Sequence, residues 1–274
     1  MTKLVRFTAD NKVYIKILYW GMFGSGKTTI VDTLYRLTKE HQKDIEPIGN
    51  LTKISMTSGA TLYFDRGTFQ STKQKSKGKL FYHVYTVAGQ KKFSPLRKKI
   101  YKGTDGVIFT VDSQTHLLED NIESLKELKS VSRGDLIKNI PLIVMLNKQD
   151  LKEVIGEEDF KQVLKDEKLW YKPDHELYKR NPIIYKTCAL YDKRENVYRS
   201  FYECVRRVLN YNQDLPLPDN LKSLTPPEDL GIVDQVQFEK VLEEEEPKYD
   251  PYCKHCGAIL PEGQSICHVC RKKV

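Results

Sequence analysis

The sequence predicts an α/β fold with a six-stranded, mostly parallel sheet flanked by helices, and three observations predict it. Apolar runs of strand length alternate along the chain with segments whose apolar residues recur at spacings of three and four. The first run, residues 13–20 (VYIKILYW), is continuously apolar and β-branched, which suits a strand covered on both faces. The chain has 274 residues of which 39% are hydrophobic, enough to bury a proper core.

The elements follow in order. Residues 13–20 form the first strand and 27–39 the first helix. Residues 61–65 and 80–87 read as a hairpin joined by a loop carrying Lys73, Lys75, Lys77 and Lys79. Residues 106–112, 141–147 and 182–187 supply three further strands. Between them, Ile122, Leu125 and Leu128, then Val197, Phe201, Val205 and Val208, mark the core faces of helices.

Charge divides the chain. Residues 1–212 carry 38 basic and 25 acidic side chains, residues 213–250 carry 3 and 11, and residues 251–274 carry 4 and 1. The middle segment also holds Pro216, Pro218, Pro226, Pro227 and Pro247 and the run from Glu243 to Glu246, the composition of an extended acidic linker. The expected domains are a globular unit over 1–212, a linker over 213–250 and a small module over 251–274. No stretch reaches the length of a membrane span, and the start lacks the apolar run of a signal peptide. Thr2 stands where myristoylation needs glycine, and the last residues hold no prenylation cysteine. The expectation is a cytoplasmic protein without a lipid anchor or transmembrane segment.

Residues 21–29 read GMFGSGKTT, directly after a strand and opening a helix. In that context Gly21, four residues, then Gly26, Lys27 and Thr28 make a phosphate-binding loop (P-loop). Its backbone N–H groups and the helix N-terminus face an anion, and glycines permit the close approach. Lys27 places a point charge on the β- and γ-phosphate oxygens, and the Thr28 hydroxyl suits Mg²⁺. Phe23, Gly24, Ser25 and Thr29 complete the candidate nucleotide-binding set here.

Asn147, Lys148, Gln149 and Asp150 end the fifth strand. The Asp150 carboxylate can accept two hydrogen bonds from guanine N1–H and its exocyclic amine, a pair of donors that adenine lacks. Lys148 would lie along the base plane, and Asn147 would bridge to the phosphate loop.

With these motifs, and with TLYFD (61–65), HVYTVAGQKKF (83–93) and GTDGVIFTVDSQ (103–114), the chain resembles the Ras superfamily of small GTPases, closest to MglA-type and Arf-like prokaryotic (archaeal) GTPases. The likeness covers about residues 10–212. It implies a Ras-like P-loop sheet, GTP and GDP as ligands with Mg²⁺, and a molecular switch that hydrolyses GTP. It makes Gln90 the residue orienting the attacking water, Gly89 a γ-phosphate contact, and Thr61 the threonine closing over Mg²⁺. Cys188, Ala189 and Leu190 follow Thr187 as the element whose backbone receives guanine O6, with Cys188 a small buried residue. Activating factors, exchange factors and effectors are the implied partners.

Two positions depart from the broader pattern. Thr86 stands where most Ras-like chains have aspartate, as it does in the MglA type, leaving Asp65 or Asp112 to back the metal. Ala60 occupies the place where MglA-type chains can carry an arginine finger. Slow intrinsic turnover follows, with an activating partner, Arg66 or Arg97 as the source of the cation.

At the tail, Cys253, Cys256, Cys267 and Cys270 form two CxxC pairs ten residues apart, a donor set for tetrahedral Zn²⁺ in a short zinc ribbon. So little apolar material folds only with such a staple. The ribbon could contact protein or, through Lys254, Arg271, Lys272 and Lys273, nucleic acid. The lysine-rich loop could meet an anionic membrane surface. A nearly inactive GTP-bound scaffold and a nucleic-acid-associated GTPase are the alternative functions.

Overall fold

The structure is a computed structural model that describes residues 6–7, 12–40, 44–54, 64–72, 79–89 and 93–211. The chain divides into two compact units, Met1–Gly231 and Ile232–Val274, and all described residues belong to the first. Thr61, Gln90, most of the lysine-rich loop, the acidic linker and the four tail cysteines lie outside the described residues.

The elements in chain order are β1 (Arg6–Phe7), β2 (Lys12–Trp20), α1 (Lys27–Glu40), β3 (Ile45–Pro47), β4 (Thr52–Ile54), β5 (Phe64–Ser71), β6 (Lys79–Thr86), α2 (Ser94–Tyr101), β7 (Gly106–Asp112), α3 (Leu118–Ser132), β8 (Leu142–Asn147), α4 (Glu157–Asp166), β9 (Ile183–Lys186) and α5 (Val197–Tyr211). Strand order is β3-β5-β6-β2-β7-β8-β9, with β1 pairing β2 and β4 pairing β5. The run from β6 through β2, β7 and β8 to β9 is parallel. β5 is antiparallel to β6 and to β3.

The sheet is therefore mostly parallel, but its path holds seven strands rather than the expected six. The addition is β3, whose sequence IEP carries no apolar period; it exists because Ile45, Glu46 and Pro47 pair with Ser71, Gln70 and Phe69. The hairpin's first strand also differs from its expected position. Among the described residues it runs Phe64–Ser71, past the expected end at 65, because β6 templates it from Arg66↔Tyr85 to Gln70↔Phe81 despite the polar sequence RGTFQS.

The period-2 alternation of the central strands divides the core into two layers. From β2, Ile15, Ile17 and Tyr19 join Ile30, Val31, Leu34 and Leu37 of α1 and Phe201, Val205 and Val208 of α5. Leu18 and Trp20 join Leu96 and Ile100 of α2, Leu125 and Leu128 of α3, and Phe160 and Leu164 of α4 on the other face. All seven residues of β7 and all six of β8 are buried.

Chain order reverses at β2, since β6 lies on one side and β7 on the other. In open parallel sheets the crevice for a ligand forms beyond the carboxyl ends of the strands at such a point. Here that end carries the loop 21–26 after β2, Asp112 as the last residue of β7, and Asn147 as the last residue of β8 with 148–150 following.

Candidate functional site

The loop after β2 turns sharply into α1. Gly26 sits at φ +92°, and a Cβ there would lie 2.3 Å from Asn147 Nδ2. Asn147 cannot yield, because it is buried and its Nδ2 donates to Ser25 O at 2.8 Å. This bond joins the carboxyl end of β8 to the loop after β2, across 122 residues of sequence.

Lys27 opens α1 with its side chain folded back over the loop. Its Nζ donates to Gly21 O at 2.9 Å and Met22 O at 2.6 Å, with Ser25 Oγ at 3.3 Å. Lys27 and Ser25 are buried, Thr28 and Thr29 are exposed on the first turn of α1, and Phe23 is 64% exposed at the loop's tip. The N–H groups of a helix's first turn have no intrahelical partners, so this end offers donors and positive potential to an anion.

Thr86 and Val87 are buried where β6 ends, and Ala88 and Gly89 follow half-buried. A Cβ on Gly89 would stand 2.2 Å from Phe23 N and 2.4 Å from Met22 C, so only glycine can lie this close to the loop backbone.

Past β8, Lys148 adopts φ +67° and its Nζ meets Asp112 Oδ2 at 2.6 Å. Asp112 Oδ1 accepts from Gln114 Nε2 at 3.1 Å. Of the two carboxylates considered for backing a metal, Asp112 is thus committed to the 147–150 loop, while the Asp65 side chain lies outside the description. Asp150 Oδ1 accepts from Cys188 Sγ at 3.4 Å, and Lys193 Nζ approaches Oδ2 at 3.4 Å. Burial pushes the Asp150 carboxyl up, but the Cys188 thiol, its own backbone N–H and Lys193 outweigh it and hold the group below the usual carboxylate value. Burial also raises the Cys188 thiol, which stays protonated and donates.

The loop 187–190 is tied in by backbone. Gln149 N donates to Thr187 O at 3.1 Å, Thr187 N to Leu146 O at 2.8 Å, and Thr33 Oγ1 of α1 to Ala189 O at 2.6 Å. Cys188 and Ala189 are buried, and Leu190 is exposed. The three motifs read from the sequence therefore meet at one end of the sheet, linked by Asn147 and Thr33.

Arg97 departs from its expected role as a free cation. It is only 3% exposed, its Nε and Nη2 bind Glu127 Oε1 at 3.0 and 2.8 Å, and its Nη1 donates to Ala88 O at 2.7 Å. No local signal marks this, since the partner glutamate is thirty residues away on another helix. Arg66, the other candidate, lies over the Tyr85 ring at 5.8 Å.

The model of the ADP-ribosylation factor family matches residues 1–206. The chain belongs to this family. It is 32% identical over 163 residues to the mutual gliding-motility protein MglA of Myxococcus xanthus, covering 57% of this chain and 78% of that protein. It is 34% identical over 140 residues to human ADP-ribosylation factor-like protein 4C, covering 50% of this chain and 62% of the relative. Human ADP-ribosylation factor-like protein 4A is 31% identical over 150 residues, or 54% of this chain and 64% of the relative. As a member of this family the chain is a GTP-binding switch GTPase, with GTP, GDP and Mg²⁺ as the family's ligands and with regulators and effectors as its general class of partner. Among the described residues no helix is long and apolar enough to cross a membrane, and no group of three or more His, Cys, Asp or Glu could hold a metal.

Proposed function

We propose that the crevice bounded by residues 21–29, 86–89, 147–150 and 187–190 is the guanine-nucleotide site, and that GTP turns over there slowly without an activating partner. The observation that carries this reading is the bond from Asn147 to Ser25 O, which docks the NKQD loop on the phosphate loop. The residues fit a triphosphate. Gly24 faces open space, the first turn of α1 presents Thr28 and Thr29, and Lys27 needs only to exchange backbone carbonyls for phosphate oxygens.

In this reading Lys27 neutralises the phosphates, and Asp150, kept ionised by Cys188 and Lys193, accepts the two guanine donors. Lys148, braced by Asp112, lies along the base, and the backbone of residues 188–190 faces guanine O6. Mg²⁺ would offset the negative charge of the phosphates, and the hydroxyls of Thr28 and Thr61 are the groups read as holding it. Gln90 orients the water. Of the two arginines considered as a finger, Arg97 is committed to Glu127 and Ala88, which supports slow unaided turnover. Single-turnover hydrolysis by the full chain tests this: Gln90→Leu should slow it at least tenfold while GTP affinity holds, and unchanged hydrolysis would overturn the role of Gln90.

The tail cysteines are read as a zinc ribbon on donor chemistry alone, two thiol pairs suited to tetrahedral coordination. Metal analysis of reduced protein should return one zinc per chain, and its loss on Cys253→Ser with Cys256→Ser. Zinc-free protein that keeps its fold across 251–274 would overturn it.

A further inference from the structure

We propose that Arg97 is a positioning residue for the backbone N–H of Gly89, and that through it the protein tells GTP from GDP. The proposal rests on the assignment of Gly89 to the γ-phosphate made above. Ala88 C=O and Gly89 N–H belong to one planar trans peptide, in which the carbonyl and the N–H point in opposite directions. Arg97 Nη1 holds that carbonyl at 2.7 Å. Fixing the carbonyl on one side therefore aims the N–H to the other, away from α3.

The guanidinium is itself fixed. Two of its nitrogens bind Glu127 on α3, with Nη2 also 2.8 Å from Glu127 Oε2, and its carbon lies 5.8 Å from the Trp20 ring. Trp20 in turn donates from Nε1 to Ser124 O at 3.1 Å and is the last residue before Gly21. From the opposite side, Gly89 lies so close to Met22 and Phe23 that no Cβ fits. The 88–89 peptide is thus held by its carbonyl on an ion pair whose arginine is buried and whose glutamate is part-buried, and by its glycine on the phosphate loop. An N–H aimed before the ligand arrives costs nothing to orient when a γ-phosphate is present, and contributes nothing when it is absent. Arginine suits this place because its planar fork serves Glu127 and Ala88 together, which a lysine point charge does not.

The test measures equilibrium affinities of the full chain for GDP and for a non-hydrolysable GTP analogue with Mg²⁺, alongside thermal melting. In Arg97→Met the ratio of the two affinities should shift against the GTP analogue by about tenfold, the worth of one hydrogen bond to a charged group. GDP affinity should stay within about threefold. Arg97→Lys should recover part of the ratio. Glu127→Gln keeps the donor to Ala88 but loosens the guanidinium, so it should shift the ratio the same way by a smaller factor. Equal weakening of both nucleotides, or an unmoved ratio, would overturn the assignment, and if Arg97→Met does not fold the Glu127→Gln ratio decides. Absence of guanine-nucleotide binding in the unaltered chain would instead sink the site itself, which keeps the two failures apart.

Discussion

Two arginine–glutamate clusters lie in the two layers of the core, and they differ in where the arginine sends its remaining donor. In one, Glu127 holds Arg97, which bonds Ala88 O beside the phosphate loop. In the other, Glu203 of α5 is 1% exposed and accepts from Arg206 at 2.6 Å and from Arg207 at 3.0 Å, while Arg207 Nη1 donates to Asn181 O at 2.7 Å. The chemistry is the same: a carboxylate neutralises a guanidinium, which then bonds a carbonyl. Asn181 leads into the amino end of β9, remote from the carboxyl ends where the motifs meet, so this second cluster fastens α5 and serves stability. The position of the carbonyl separates a structural pair from one tied to the site.

The sharpest way to break this comparison is Glu203→Leu. It leaves the part-buried guanidinium groups of Arg206 and Arg207 without their carboxylate and should lower unfolding stability by about 2–3 kcal/mol in urea titration. The GTP-to-GDP affinity ratio should not move, and a shift in it would erase the distinction. Glu127→Gln should cost less stability, about 1–2 kcal/mol, because a neutral acceptor remains for the guanidinium. Its ratio should shift nonetheless.

A third pair extends the series to the surface. Lys193 is half-exposed beside Asp150, so Lys193→Ala should change stability by less than about 1 kcal/mol. Its signature should appear in the pH dependence. The Asp150 carboxyl is held below its usual value, so what its charge contributes is present above the ordinary carboxylate pKa and lost as pH falls through the lowered one. Guanine-nucleotide affinity should therefore persist to unusually acid pH. Lys193→Ala should move the loss to higher pH, and an unmoved profile would assign the lowering to Cys188 and the backbone alone.

How far the sequence reached differs by element. The parallel strands were readable because their apolar runs are long, and β7 and β8 are buried at every position. β3 and most of β5 were not, because IEP and RGTFQS have no strand character of their own. They form where a neighbouring strand offers hydrogen bonds, as Ile48 N also finds at Thr68 O. Among the candidate site residues, the glycines, Lys27, Asn147 and Asp150 stand out through motif spacing. Arg97 had only the general aspect of a cation near a switch, and a contact between α2 and α3 has no sequence period.

By itself the sequence determined the α/β class, the family likeness and the two motifs proposed as phosphate loop and guanine reader, because each rests on local patterns of residues close in the chain. Only the tertiary structure decided which carboxylate braces Lys148, that Lys27 folds onto Gly21 and Met22, and that Arg97 is buried rather than free. The ion pairs of Lys148 and Arg97 depend on packing between elements 36 and 30 residues apart and on the cost of burying a charge without a partner, which no local pattern encodes.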